Sequence, residues 1–413
     1  MAATESDDQR TTGTAAADAA SPAATENDRA TSRGRSDAST LAMLPFALAA
    51  LAPAAKAATL PDDRADAMYH RYEGGGVTVD GPSLLVRKKL GDNFSVAANY
   101  YVDMVSSASI DVVTQASPYK EERRQMSLAV DAIRGKTQYT VAYVNSTEND
   151  YQANTASFDL SQTMFGDLTT VSLGFSRAWD EVEKRGDPSF KEPVDRWSYR
   201  FGVSQILTSR LMMGLSLETI TDEGYLHNPY RSARYLDPDV AAGFAWEPEV
   251  YPNTHNSTAV TLDGDYYVWY RAAVHGMYRY YTDSWGVSGN TFRIGYTHPI
   301  GERWILEADY RWYDQTGADF YSDLFPRENS QNFVGRDKEL STFQSQMFTF
   351  GVTWRLPPLK WGGLDRTTVN VFYDHALYDY ADFRNILKGG PPGEEPLYKM
   401  SADVLRVFFS AWF

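Results

Sequence analysis

The stretch WILEADYRW, residues 304–312, sets Trp304, Leu306, Ala308, Tyr310 and Trp312 at every second position. Glu307, Asp309 and Arg311 fill the alternate ones, with Arg303 just ahead. Period two marks a strand whose faces meet different surroundings, because successive side chains point to opposite sides of a sheet. The pattern recurs. Phe94, Val96, Ala98, Tyr100 and Val102 alternate with Ser95, Ala97, Asn99, Tyr101 and Asp103. Leu211, Met213, Leu215 and Leu217 alternate with Arg210, Gly214, Ser216 and Glu218. Phe348, Phe350, Val352, Trp354 and Leu356 alternate with Thr349, Gly351, Thr353 and Arg355. A soluble sandwich would alternate too. These segments, however, run to about ten residues, the length a tilted strand needs to cross a bilayer. Their apolar faces are bulky and carry Tyr or Trp near the ends, as an interfacial girdle does.

Composition agrees. The chain has 413 residues, 27 Tyr, 10 Trp, no cysteine and net charge −15. Without cysteine there is no disulfide framework and no thiolate metal site. The acidic balance argues against a nucleic-acid footprint. No apolar run reaches the roughly 20 residues of a membrane helix, so a membrane location requires a closed barrel. The expected fold is all-β: a transmembrane antiparallel up-and-down β-barrel.

Turn signals set the strand count. Short connections are expected at 91–92, 134–136, 165–167, 208–209, 300–302 and 361–363, with a further one near Trp269-Tyr270 that carries no turn residues. Mostly long polar stretches lie between them, at about 103–124, 147–155, 179–195, 221–257, 282–290, 315–344 and 380–400. Outer-membrane barrels place short turns in the periplasm and long loops outside. A first strand at 67–79, turning at Asp80-Gly81-Pro82 into 83–90, brings the total to about 16, with 14 as the fallback. The tail closes the pattern: Leu405, Val407, Phe409, Ala411 and the terminal Phe413 alternate with Arg406, Phe408, Ser410 and Trp412. That arrangement resembles the signal read by the outer-membrane barrel-assembly machinery.

The chain divides into three. Residues 1–40, rich in Ala, Thr, Ser and Asp, are expected to form a disordered leader. Residues 41–57 read as a signal peptide: Arg33 and Arg35 precede LAMLPFALAALAPAA, and Ala55-Lys56-Ala57 supplies small residues at a cleavage site. The alternative, a short buried helix, lacks an amphipathic stripe. The long leader reads either as an extended n-region or as a misassigned start. Residues 58–413 form the outer-membrane barrel, and 58–66 are too few to plug it.

Several longer motifs resemble one bacterial family, known as domain of unknown function 3570. They include YHRYEGGGVTVDGPSLLVRK (69–88), NYYVDMVSSASIDVVTQASPYKEER (99–123), NSTENDY (145–151), FGDLTTVSLGFSRAWDEV (165–182), ETITDEGYLHNPYRSARYLDP (218–238), YTHP (296–299), DFYSDLFP (319–326), FVGRDKELSTF (333–343) and GEEPLY (393–398). The resemblance runs from about Asp62 to Phe413 and implies a Gram-negative outer membrane. No catalytic residue or ligand is carried over from it.

Chemistry is sparse. The six histidines, His70, His227, His255, His275, His298 and His375, have no metal spacing. His227 and His255 share a loop, but no nucleophile motif accompanies them. No enzyme, cofactor or metal is expected. Acidic loop groups at Glu148 and Asp150, Asp222 and Glu223, and Asp319 and Asp323 admit a calcium reading; solvated loop charge and bridging to lipopolysaccharide account for them more simply. If the apolar rows face lipid, the lumen receives Arg87, Lys89, Arg200, Arg279, Arg293, Arg303, Arg311, Arg355 and Arg406. Asp131, Glu218, Glu307, Asp309 and Asp374 join them. Such a wall either selects solutes or forms paired charges that fill the barrel. Inward Gly174, Gly202, Gly214, Gly295 and Gly351 are expected to bend the sheet. The expected role is a passive channel with mild anion preference. The competing role is a surface receptor or assembly barrel with a plugged lumen, with an outer-membrane enzyme third. Lipid, lipopolysaccharide and the assembly machinery are the expected partners, and no nucleic acid.

Overall fold

The computed structural model of the chain describes residues 59–107, 109–110, 114, 119–357 and 363–413. The leader 1–40 and the signal segment 41–57 lie outside the described residues. Eighteen strands follow in order. The first nine are β1 (Arg64–Gly74), β2 (Val77–Leu90), β3 (Phe94–Ser107), β4 (Tyr119–Arg134), β5 (Thr137–Thr147), β6 (Tyr151–Met164), β7 (Thr169–Lys184), β8 (Asp187–Thr208) and β9 (Leu211–Gly224). Then come β10 (Ser232–Leu236), β11 (Phe244–Pro248), β12 (Thr254–Tyr267), β13 (Ala273–Asp283), β14 (Ser288–Ile300), β15 (Trp304–Gln315), β16 (Phe343–Arg355), β17 (Arg366–Arg384) and β18 (Leu397–Trp412). Sixteen close into one antiparallel barrel, each pairing with its chain neighbours, while β10 and β11 form a separate hairpin between β9 and β12. The last strand pairs with the first, Arg64 opposite Trp412.

The opening hairpin differs from the expected one. Its turn is Gly75-Gly76, both at positive φ (58° and 83°), the conformation that a two-residue hairpin demands and glycine adopts without strain. Asp80-Gly81-Pro82 lies inside β2. The ladder to β3 runs Asp80 opposite Met104, then Ser83 opposite Tyr101, skipping Gly81 and Pro82. Proline lacks the N–H that this ladder needs, and the bare Gly81 lets the Val102 carbonyl come close. The turn near Trp269 is a hairpin turn as counted. Tyr270 and Arg271 occupy its centre at φ 56° and 64°, and the Ala272 N–H donates to the Trp269 carbonyl at 3.1 Å. Asn-Gly is the usual filling, which is why sequence gave no signal there.

Three polar stretches expected as loops are largely strand. Only residues 148–150 separate β5 from β6, residues 185–186 separate β7 from β8, and 284–287 separate β13 from β14. Polarity marks where the lipid belt ends, whereas backbone pairing continues into water.

The belt itself is plain. Ile294, Val141, Met126 and Phe350 are 55–59% exposed, and Leu84, Tyr100, Phe158, Leu173, Phe201, Leu217, Leu262, Leu306 and Val407 are 37–52% exposed. A water-soluble protein does not leave so continuous an apolar surface bare. Trp304 and Trp312 bracket it on β15, about 20 Å apart along the barrel axis for a strand tilted at 35–45°. The chain is therefore a membrane-spanning barrel. In detergent it should run faster on gels unboiled than boiled, because a closed sheet resists unfolding until heated. Identical mobility, or recovery as a soluble monomer without detergent, would contradict the closed barrel.

Candidate functional site

The register places the charged residues on the inner wall. Arg200 faces inward and donates to Asp159 at 2.8 Å. Arg293 bonds Asp309 through Nε at 2.8 Å, and Arg406 reaches Asp374 at 2.8 Å. Arg279 approaches Glu218 at 3.7 Å. Arg311 lies against the Tyr313 ring, across the ladder from Arg293. Glu307 is buried opposite Gly351. Arg87, Lys89 and Arg355 stand near the short-turn end. Arg303 does not join the wall: it lies in the exposed turn 301–303, where period two stops and parity no longer assigns a face. Leu405, Val407, Phe409 and Ala411 form the outward row of β18.

The wall also holds carboxylates beyond the five assigned to the lumen from sequence: Asp66, Asp103, Asp159, Asp180, Asp222, Asp263, Asp265 and Asp283. Asp103, Asp180, Asp222 and Asp283 fall in stretches read as loop. Arg64, Arg123, Arg196 and Arg366 also face inward, so the two signs are close to balanced and the basic excess behind an anion preference is absent among the described residues. Three of the inward glycines, Gly174, Gly214 and Gly295, make room for these carboxylates, while Gly202 faces Ser172 and Gly351 faces the Phe372 ring. A Cβ at Gly174 would lie 2.6 Å from Asp159 Oδ1 and 2.8 Å from Arg200 Nε, so the bare position lets the pair cross β7. Gly214 and Gly295 leave room for Asp263 and Asp309 in the same way.

At the long-loop end the described connections pack on one another and on the inner wall. Arg234 of β10 has no exposed surface. It donates to Asp323 Oδ2 and to Glu395 Oε1, both at 2.5 Å, and to the Asp323 carbonyl at 2.9 Å. It thus ties three separate connections together. Arg336, also buried, bonds the Asp323 carbonyl at 3.0 Å and lies over Phe383. Isolated bridges join Val250 to Val334 and Tyr235 to Phe325. Beneath, Leu226, Tyr251, Trp285, Ala318, Phe320 and Leu340 pack on the inner-wall residues Tyr151, Val182, Val194, Ala259 and Tyr281. Loop residues therefore share a dry core with the upper inner wall, on the side formed by β6, β7, β8, β12 and β13. On the other side Ile110 packs with Tyr313, Phe343, Tyr380 and Tyr398.

Glu249 lies in this cap. Its carboxylate accepts from Tyr251 Oη at 2.7 Å and from the Arg336 N–H at 2.7 Å. Burial pushes it up to about 7, against the nearby Arg231 that favours its charge. The unfolded loop would hold it near the ordinary value of 4.5. A raised carboxyl binds its proton more tightly folded, so cap stability falls as pH rises from about 4.5 through 7 and stays lower above. The effect is on the order of 1–3 kcal/mol. Cap protection, followed by hydrogen exchange of residues 245–251, should be greater at pH 5.5 than at pH 8. Glu249→Gln should flatten the difference; an unchanged pH dependence in that variant would remove Glu249 as its source.

The histidines are engaged structurally. His255 Nδ1 faces Asp222 at 3.1 Å and Nε2 faces Asp283 at 2.9 Å. With a carboxylate on each ring nitrogen, neither is left to activate a nucleophile. His227 sits among Tyr225 and Tyr251, and burial lowers it to about 4. His70 stacks on Tyr101 and bonds Asp103 at 2.8 Å. Of the acidic groups, Asp222 is held by Arg196 and Asp323 by Arg234. Glu148 and Asp150 meet Glu121, their oxygens within 4.8 Å of one another, and Arg123 stands 4.0 Å from Glu148.

A family model described as "Protein of unknown function (DUF3570)" matches residues 110–194 and 188–358. No curated protein matches the chain. Among solved structures, a bacterial polysaccharide outer membrane secretin is 8% identical with a TM-score of 0.47, covering 86% of this chain and 100% of its own. OmpT of Vibrio cholerae is 10% identical with a TM-score of 0.40, covering 87% and 100%. A Pseudomonas aeruginosa FadL homologue is 9% identical with a TM-score of 0.40, covering 85% and 91%.

Proposed function

The chain belongs to the family described as protein of unknown function DUF3570, and we propose that it is an outer-membrane surface barrel whose outer mouth is shut at rest by its own loops. It anchors an ordered loop platform at the cell surface and passes solute only when that platform is displaced. The observation that carries this reading is Arg234, wholly buried between carboxylates from two other connections. A constitutive channel has no need of such a latch. The lipid belt, with no membrane helix among the described residues, supports this location, since a closed barrel is the other spanning solution and outer-membrane barrels turn their short connections to the periplasm. Export through the segment 41–57, contact with lipid and lipopolysaccharide, and recognition of the Phe413 tail by the assembly machinery belong to the same proposal. No catalytic role is proposed: His255 holds a carboxylate at each ring nitrogen, and His227 packs between the Tyr225 and Tyr251 rings.

The passive channel keeps one supporting observation, a polar wall of paired charges along the lumen. Ion current through the purified barrel in planar bilayers decides between them. The capped reading expects a wild type that is closed nearly all the time; steady open-pore current would return the channel.

A further inference from the structure

We propose that the short-turn mouth of the barrel holds an oxyanion site, built on Arg355 and Arg366 beside the closing seam, that takes a phosphate or carboxylate group entering from that end. Arg355 ends β16 and Arg366 begins β17, both on inward positions. A recess of about 10 Å³ lies between them, about the room that one water or one ligand oxygen occupies. Its lining suits an anion: two guanidinium groups, the side chains of Thr353, Thr368, Asn370 and Ser410, and walls of Ile305 and Trp412. Thr353 donates to Asn370 Oδ1 at 2.8 Å and Asn370 Nδ2 donates to Thr368 Oγ1 at 3.0 Å, which fixes the amide and the hydroxyls in place.

Two further observations point to a ligand. Arg366 Nε is buried and meets no hydrogen-bond partner among the described residues. A buried guanidinium N–H without an acceptor is costly, and an oxyanion satisfies it with a charge-assisted bond. The site also gathers like charge. Arg366 senses Arg355 and Arg64, with Asp62 opposing them, and Arg355 senses Arg271. The nearby carboxylate Asp66 already bridges Arg64 at 2.7 Å. Trp412 holds the Arg366 head, 3.9 Å from the ring centroid, so the fork is preorganised before a ligand arrives. An oxyanion with one oxygen in the recess and the rest in the mouth relieves both the repulsion and the orphaned donor. Planar forks of this kind suit phosphate and carboxylate.

The inference stands apart from the capped-mouth reading, because it concerns the opposite end and holds whether or not the loops open. The test is thermal unfolding and titration calorimetry of the full barrel in phosphatidylcholine nanodiscs at constant ionic strength. Inorganic phosphate is one probe, and exchange of the lipid for phosphatidylglycerol is the other. The expected result is saturable stabilisation by at least one probe, lost in an Arg355→Gln/Arg366→Gln double variant that still shows the folded gel mobility. Response to phosphate alone identifies a free solute; response to phosphatidylglycerol alone identifies a lipid headgroup. Should the double variant fail to fold, Asn370→Asp sets a negative charge in the lining, keeps both arginines and should weaken binding at least tenfold. No response of the wild type to either probe, or an equal response in the variants, overturns the site.

Discussion

Replacing Arg234 and Arg336 with alanine is expected to turn a silent barrel into a conducting one. The two guanidinium groups neutralise Asp323 and Glu395 inside the cap. Removing one partner of a buried pair costs about 3–5 kcal/mol, because it strands the other charge. The barrel wall does not depend on these contacts, so the penalty falls on the closed loops. Each 1.4 kcal/mol is a tenfold shift of population, so even half of that penalty raises the open fraction roughly tenfold or more. Single-channel recording reads this directly, with Arg327→Ala, an exposed change in the β15–β16 connection that also carries Arg336, as the neutral control. A double variant that keeps its folded gel mobility and still carries no current would mean the obstruction lies in the lumen wall.

The second large effect concerns the seam. Deleting Phe413, or replacing Trp412 with alanine, should lower outer-membrane levels at least tenfold, while deleting residues 185–188 changes them little. Trp412 stands opposite Arg64 on one side and Arg366 on the other, with both guanidinium groups against its ring. Each such contact contributes roughly 0.5–2 kcal/mol. Phe413 donates its N–H to the Asp63 carbonyl at 3.3 Å and lies under Lys88, so the last residue reaches β1 and β2 together. Residues 185–188 lie at the tip of the β7–β8 hairpin. Equal membrane levels of the tail and hairpin variants, measured in fractionated cells, would show that the tail has no special part in closure.

Most of the barrel was legible in the sequence because lipid and water impose opposite demands on alternate residues. Trp304 to Trp312 reads as a spanning strand from period two alone, and the short turns then set the count of sixteen. What was not legible has physical causes. Asp80-Gly81-Pro82 carries every mark of a turn, yet pairing with β1 holds it extended. Tyr270-Arg271 carries none, yet the strands on either side force the turn. Asp103, Asp180, Asp222 and Asp283 were read as loop because strands continue past the membrane edge, and with them went the acidic half of the lumen charge. The cap was visible only as long polar stretches. Its latch pairs Arg234 with residues 89 and 161 positions away, a separation that no local pattern reports.

The central claim, a spanning barrel shut toward the outside, is tested most directly by labelling. The chain has no cysteine, so single-cysteine variants report one position each. Asp239→Cys lies on the exposed β10–β11 turn, and Ala273→Cys faces the lumen near the short-turn end. A membrane-impermeant maleimide added to intact cells should label the first quickly and the second at least a hundredfold more slowly, until the reagent is admitted to the periplasm. Equal labelling of both from outside would contradict the account.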